Sequence, residues 1–228
     1  VDGVDLTLAP GEVRALIGPN GAGKTTFFNL LTGHLVPDAG TVRFRGEALE
    51  GLPPHRIWRR RLARTFQIPA VFPDLTVTEN VQVALVSWTR RTLSLVGRAV
   101  GLERERAEAL LERVGLAAQG GRRAAVLPYG DLKKLEVAIA LANDPELLLL
   151  DEPTAGMAPA ERRALMGLVE TIGRAGGLTL LFTEHDMDVV FAVADRITVL
   201  HQGRVIADGG PEAVRADAEV QRVYLGEL

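Results

Sequence analysis

The stretch Gly18-Pro19-Asn20-Gly21-Ala22-Gly23-Lys24-Thr25 constrains this chain more than any other. Its spacing of glycines before Lys-Thr is that of a phosphate loop, in which backbone N–H groups and the start of a helix surround phosphate oxygens. The flanks agree. Val13 to Ile17 reads as a short apolar strand leading in, and Phe27, Leu30 and Leu31 recur at helical spacing on the far side. Lys24 can set a compact positive charge between the terminal phosphates of a nucleotide, and the Thr25 hydroxyl is a hard oxygen ligand suited to Mg²⁺. Asn20, Gly21, Ala22, Gly23 and Thr26 complete the expected nucleotide-binding set. Lys24, Lys133 and Lys134 are the only lysines among 26 basic residues, so a chain that otherwise uses arginine departs from its habit here.

A second element of the same chemistry follows far downstream. Leu147 to Leu150 is a run of leucines of strand length, and it delivers Asp151 and Glu152 at its end, where ligands of open parallel sheets bind. Asp151 is the expected Mg²⁺ ligand. Glu152, one residue on and therefore aimed differently, is the expected group for polarising an attacking water.

Between and around these motifs the pattern alternates. Val4, Leu6 and Leu8 predict a half-buried strand, and Thr41 to Arg45 another, with Leu52-Pro53-Pro54 as a linker. From Thr76 to Gly130 the character turns helical, opening on a capping-box pair of Thr76 and Glu79. Within it, Leu102 to Val114 carries Ala107, Leu110, Leu111 and Val114 as a core-facing stripe. A helix from Asp131 to Leu141, a helix from Pro159 to the Gly176-Gly177 stop, a strand at Leu178 to Phe182, apolar runs at Ile197 to Leu200 and Val205 to Ala207, and two terminal helices complete the chain. Strands alternating with helices imply an α/β protein: a phosphate-loop NTPase core with a mostly parallel sheet, an inserted helical subdomain and an antiparallel β portion. The expected division is an α/β core over 1–76 and 131–228, with the helical subdomain at 77–130.

Composition excludes little, but what it excludes is useful. The chain has no cysteine, so it holds no disulfide framework and no thiolate metal site. No apolar stretch approaches the roughly 18 residues of a membrane-spanning helix, so a membrane role has to come from a partner. A net charge of −3 argues against a protein whose task is to neutralise nucleic-acid phosphates, and Arg59-Arg60-Arg61 reads as a solvated helix face or loop. The chain opens at Val1 with neither an initiator Met nor a secretory leader, and the strand expected at Val4 implies a preceding segment.

These motifs together resemble one family along nearly the whole chain: the nucleotide-binding subunits of ABC transporters. The resemblance implies further roles. Gln67, in Arg64-Thr65-Phe66-Gln67, matches the family's glutamine that senses the metal and contacts the permease. His185, in Thr183-Glu184-His185-Asp186, matches its γ-phosphate histidine. The family's signature loop, which reaches the γ-phosphate of the opposite subunit, corresponds to Leu127-Pro128-Tyr129-Gly130-Asp131. Here Pro128 stands where the family usually has serine and supplies neither a hydroxyl nor an N–H, which leaves Gly130 and the helix start. That Tyr129-bearing loop, Ala155-Gly156-Met157-Ala158 at the dimer-contact position and the ending Tyr224-Leu225-Gly226-Glu227 resemble the branch that imports branched-chain and other hydrophobic amino acids. The family stacks adenine on an aromatic residue that precedes the first strand. None stands ahead of Val4, so either it lies in a preceding segment or base recognition is weak.

The resemblance implies an ATPase using ATP and Mg²⁺, paired with a second ABC ATPase subunit of the same or a different kind. It implies membrane permease subunits as direct partners and a solute-binding protein as an indirect one, with no nucleic acid. The expected location is cytoplasmic, peripheral on the inner face of the cell membrane. Two other readings stand beside it: a soluble ABC ATPase of nucleic-acid or translation machinery, and an ATP-binding regulatory subunit that hydrolyses weakly.

Overall fold

Strands with apolar residues on both faces can be buried on both, and the leucine run decides the architecture accordingly. The computed structural model describes residues 1–89 and 103–225, and it sets six strands in one sheet. In chain order the strands of the sheet are β1 (Val13–Ile17), β4 (Leu62–Arg64), β5 (Leu147–Asp151), β6 (Thr179–Thr183), β7 (Arg196–His201) and β8 (Arg204–Gly209). Across the sheet they lie in the order β4-β5-β6-β1-β7-β8, all neighbours parallel except the last pair, which is antiparallel. A small antiparallel ribbon, β2 (Arg43–Phe44) with β3 (Glu47–Ala48), lies apart from it.

Side chains alternate along each strand, so the sheet feeds two cores. Leu148, Leu150, Phe182, Ala15, Ile17 and Val199 point to one cluster. Leu147, Leu149, Leu181, Leu16 and Leu200 point to the other, which is closed by Phe27 and Phe28 of α1 (Lys24–Leu31) and by Ile57 of α2 (Pro54–Trp58). The first cluster is larger. It takes in Val77, Val81 and Leu85 from α3 (Val77–Thr89), Ala107, Leu110 and Leu111 from α4 (Arg104–Arg113), and Leu135, Val137 and Ala138 from α5 (Tyr129–Ala140). The stripe read on 102–114 is therefore core, as its spacing requires. Helices α6 (Pro159–Gly176) and α7 (Met187–Val193) cover the same face, and α8 (Pro211–Ala216) and α9 (Ala218–Leu225) end the described chain. Leu102, Gly226 and Glu227, which the sequence reading includes, lie outside the described residues, as does the side chain of Tyr224.

Two strand expectations change. Val4, Leu6 and Leu8 keep their alternation, half-buried against the second core with Asp5 and Thr7 exposed, yet residues 4–8 form no strand. Among the described residues no strand pairs with them; the backbone is tied on either side, where Asp2 N–H donates to Gly203 O at 2.8 Å and Ala9 N–H to Glu12 Oε2 at 2.7 Å. Thr41 to Arg45 contracts to the two residues of β2. The three arginines at 59–61 are occupied within the fold: Arg59 donates to the carbonyls of Ser87 and Trp88, Arg60 pairs with Glu47, and Arg61 reaches Asp144 O and Glu146.

The capping box at α3 forms as read: Glu79 Oε2 accepts from both the N–H and the hydroxyl of Thr76 at 2.8 Å, and Thr76 Oγ1 accepts from Glu79 N–H at 3.2 Å. The Thr76 N–H, then its hydroxyl, hold the Glu79 carboxyl below its ordinary pKa. A carboxyl depressed in the folded state stabilises above its unfolded pKa, and that contribution is lost as pH falls through the folded value. Glu79→Ala should therefore lower the thermal midpoint at neutral pH, with a gap from wild type that narrows as acidification protonates the Glu79 carboxyl. A gap that stays unchanged throughout the acid range in which the protein remains folded would contradict the box.

Candidate functional site

The Gly18–Thr25 loop leaves β1 and folds into α1. Gly18 is obligatory on steric grounds, because a Cβ there would meet Leu200 O at 2.2 Å and Ala22 Cβ at 2.9 Å. Gly21 and Gly23 hold φ of 79° and 104°, which other residues reach only with strain. The turn exposes Asn20, Gly21, Thr25 and Thr26 and buries Ala22 and Lys24. Helix α1 has no side-chain cap and no acidic residue in its first turn, and among the described residues the N–H groups of Lys24, Thr25 and Thr26 make no backbone hydrogen bond. This is a helix terminus with positive potential and free donors. The Lys24 ammonium donates to Gly18 O at 2.6 Å and Pro19 O at 3.1 Å. Burial pushes its pKa down, and the charges of Glu152 and Asp151 pull it back up.

Strand β5 carries the carboxylates to the same edge of the sheet. Asp151 is buried, and both of its oxygens are held: Thr183 Oγ1 donates to Oδ1 at 3.0 Å, and Arg64 Nη2 donates to Oδ2 at 2.8 Å. Arg64 lies at the end of β4, between the rings of Phe28 and Phe66, and its other amino group reaches Asn29 Oδ1 and Thr32 Oγ1 on and just after α1. One guanidinium thus links the helix after the phosphate loop to the Asp151 carboxylate. At Glu152 the backbone turns left-handed, φ 47°, which swings this side chain away from that of Asp151. The turn is fixed by the Glu152 N–H, which donates to the same Thr183 hydroxyl at 3.0 Å.

Glu152 is the meeting point of the remaining candidates. Gln67 Nε2 donates to its Oε2 at 2.9 Å, and His185 Nε2 lies 2.8 Å from its Oε1. His185 arrives from the end of β6 and is set by Asp186, the N-cap of α7, whose carboxylate accepts from the N–H groups of Asp188 and Val189. A cleft of about 190 Å³ opens beside Glu152, His185 and Thr154. Gln67 is presented by a segment that α5 holds from below. Lys133 Nζ donates to Gln67 O at 2.7 Å and Phe66 O at 3.2 Å, and Glu136 Oε1 accepts from Phe66 N–H at 2.6 Å.

A family model described as ABC transporter matches residues 1–155, and one described as Branched-chain amino acid ATP-binding cassette transporter matches residues 204–227. The High-affinity branched-chain amino acid transport ATP-binding protein LivG of Escherichia coli (strain K12) is 44% identical, over 100% of this chain and 92% of its own length. The BraF protein of the same description from Pseudomonas aeruginosa is 39% identical, over 100% and 92%. The solved ADP conformation of an ATP-binding cassette of an ABC transporter superposes with a TM-score of 0.87 at 31% identity, covering 99% of this chain and 92% of that one.

The chain belongs to the ABC transporter family. It is an ATP-binding cassette, an ATPase whose ligands are ATP and Mg²⁺. The cassette's own geometry fits both ligands. Free N–H donors at the start of α1 and a buried ammonium suit phosphate oxygens. A threonine hydroxyl and a nearby carboxylate suit a metal that keeps most of its shell from water and phosphate.

Of the residues expected in the site, the structure brings Gln67, Glu152 and His185 into contact, with Asp151 beside them and Lys24 close enough to feel both carboxylates. Gly130 stands elsewhere, its Cα side facing Met157 Cε at the approach to α6. Among the described residues no hydrogen bond or ion pair joins the Pro128–Gly130 turn to Lys24, Asp151 or His185. Pro128 is the N-cap of α5, with φ −57° and ψ 152°, and its carbonyl accepts from Asp131 and Leu132. Sequence reasoning missed Arg64, Thr183, Lys133 and Glu136. Only Lys133 had left a signal, as one of three lysines in an arginine-rich chain.

The Arg64 and Asp151 side chains are 7% and 9% exposed, so removing one partner strands a buried charge. Arg64→Met should cost about 3–5 kcal/mol of unfolding free energy, the scale of a broken buried pair. Denaturant titration checks it, and a loss below about 1 kcal/mol would mean Asp151 is adequately held by Thr183 alone.

Proposed function

We propose that this chain is the ATP-hydrolysing subunit of an importer for branched-chain or related amino acids, peripheral on the cytoplasmic face of a membrane and bound to permease subunits that a solute-binding protein serves from the other side. The observation that carries the hydrolytic part is the Glu152 carboxylate, turned out of β5 and held between Gln67 and His185. The transport part rests on likeness: relatives matched over the whole chain are described as branched-chain amino acid transport ATP-binding proteins. The proposed division is a RecA-like core over 1–76 and 131–228 and a permease-facing helical subdomain over 77–130.

In this reading the phosphates of ATP lie on the N–H groups that open α1, with Asn20, Gly21, Ala22, Gly23, Thr25 and Thr26 around them and the Lys24 ammonium drawn from Gly18 O onto the terminal oxygens. Thr25, Asp151 and Gln67 would hold Mg²⁺, which neutralises charge on the phosphate oxygens. Glu152 takes the proton of the attacking water, and its left-handed turn aims it away from the Asp151 carboxylate. His185, on the other oxygen of Glu152, orients that base, and its single N–H would turn from Glu152 to the γ-phosphate once nucleotide is bound. Gly130 and the start of α5 belong to the site of a second subunit: each ATP lies between the phosphate loop of one chain and the Pro128–Gly130 turn of its partner, so binding closes the pair and hydrolysis reopens it.

Two outcomes test this. Glu152→Gln should bind ATP normally and turn it over at least about 10²-fold more slowly, whereas Lys24→Ala should lose affinity for ATP itself. Normal turnover in the first, or normal affinity in the second, measured by phosphate release and by nucleotide titration, would remove the assignment. Pro128 occupies the N-cap, where a serine would add a hydroxyl beside the free N–H groups of α5. Pro128→Ser in the Glu152→Gln background should tighten ATP-driven pairing by about tenfold, the worth of one hydrogen bond to a charged oxygen. Identical sedimentation curves with and without the serine would show that Gly130 and the helix start suffice.

A further inference from the structure

A lysine whose side chain is 2% exposed is costly to keep, because its ammonium has left water. Lys133 is such a residue. It stands on α5 one turn beyond Tyr129, whose ring lies 5.8 Å from the ammonium. Its donors go to two successive carbonyls, Gln67 O at 2.7 Å and Phe66 O at 3.2 Å, with Glu136 Oε2 at 3.6 Å as the counter-charge. Glu136, itself 5% exposed, accepts from Phe66 N–H at 2.6 Å through its other oxygen. Burial pushes the Lys133 pKa down and the Glu136 pKa up, and each charge opposes the shift of the other.

An apolar residue would fill this position without the desolvation cost, so what the pair achieves is directional. Together they grip the Phe66–Gln67 backbone by its carbonyls and by an N–H, fixing a segment whose side chains are exposed. An ammonium, compact and with three donors, fits two adjacent carbonyls where a planar guanidinium would not sit as closely. The grip has one visible product: the Gln67 side chain arrives 2.9 Å from Glu152 Oε2.

We propose that Lys133, supported by Glu136, is a positioning residue that sets Gln67 against Glu152 and so ties the helix that begins at the Pro128–Gly130 turn to the hydrolytic carboxylate. The proposal rests on the reading of Glu152 as the base. The Lys133 ammonium is directed at the Phe66 and Gln67 carbonyls, so its role is exercised through Gln67. The tie runs from the first turns of α5 to His185 in three contacts, Lys133 to Gln67 O, Gln67 Nε2 to Glu152, and Glu152 to His185.

The test is a double-mutant cycle on ATP turnover by the full chain, using Lys133→Met, Gln67→Ala and the pair together. Each single change should lower kcat about tenfold with KM for ATP moved less than about twofold, and the pair should be no worse than the poorer single by more than about twofold. Lys133→Arg, which keeps charge but carries a planar guanidinium, should fall below wild type as well, and wild-type turnover in it would overturn the fit of the ammonium to the two carbonyls. Multiplying losses, an unchanged kcat in Lys133→Met, or a loss in Lys133→Met that Gln67→Ala does not share would each overturn the proposal. Should Lys133→Met not fold, Glu136→Gln, which preserves shape, enters the same cycle under the same criteria. Glu152→Gln is run alongside: wild-type turnover there removes the hydrolytic reading itself, whereas its expected loss beside an unaffected Lys133→Met removes only the role of Lys133.

Discussion

A carboxylate at the end of a strand of four leucines has to be paired, and the pairing of Asp151 organises the rest of the site. Burying that charge between two parallel neighbours would be prohibitive without compensation. Arg64 supplies it from β4 and Thr183 from β6, the two strands that flank β5. Each partner then does a second thing. Arg64 reaches back to Asn29 and Thr32, so the helix after the phosphate loop is referenced to the carboxylate strand. Thr183 accepts from the Glu152 N–H and thereby fixes the left-handed turn that separates the two acidic side chains.

Sheet order explains why these pieces converge. Strand β6 lies between β5 and β1, so the residues after β6 stand between the carboxylates and the phosphate loop. That is where His185 occurs, and its ring meets Glu152. Gln67 comes from the opposite side, beyond β4. Its approach depends on α5, because a segment with exposed side chains has little apolar burial to hold it. The Pro128–Gly130 turn opens the same helix, and among the described residues it makes no hydrogen bond or ion pair with Lys24, Asp151 or His185, as the proposal of a site completed by a second subunit requires.

The sequence made some of this legible for a physical reason: the approach of Leu200 O leaves Gly18 no substitute, left-handed φ favours glycine at Gly21 and Gly23, and a fully buried strand has no choice but an apolar run. The capping pair Thr76 and Glu79, the core stripe of α4 and the Gly177 stop after α6 are equally local, and all three are found where the residues put them. What escaped was non-local. Arg64 and Asp151 are far apart in the chain, and nothing near Arg64 distinguishes a buried partner from a surface arginine. Lys133 and Glu136 look on paper like an ordinary polar pair on a helix. The alternation at Val4, Leu6 and Leu8 correctly marked which side chains turn inward, but a period-two pattern states a face and not a ladder partner, and no strand formed there. Gln67, His185 and the Pro128–Gly130 turn were legible only through the family, since a lone glutamine or histidine carries no signal of its own.

The central claim is that one chain holds an incomplete ATPase site, finished by the Pro128–Gly130 turn of a partner. Phosphate release per chain, measured while the chain is diluted through the concentration range in which pairs dissociate, addresses it directly. Turnover per chain should fall with dilution, in step with the loss of pairs seen by sedimentation. Turnover per chain that stays constant while the pairs come apart would mean that a single chain completes its own site and that no partner is needed.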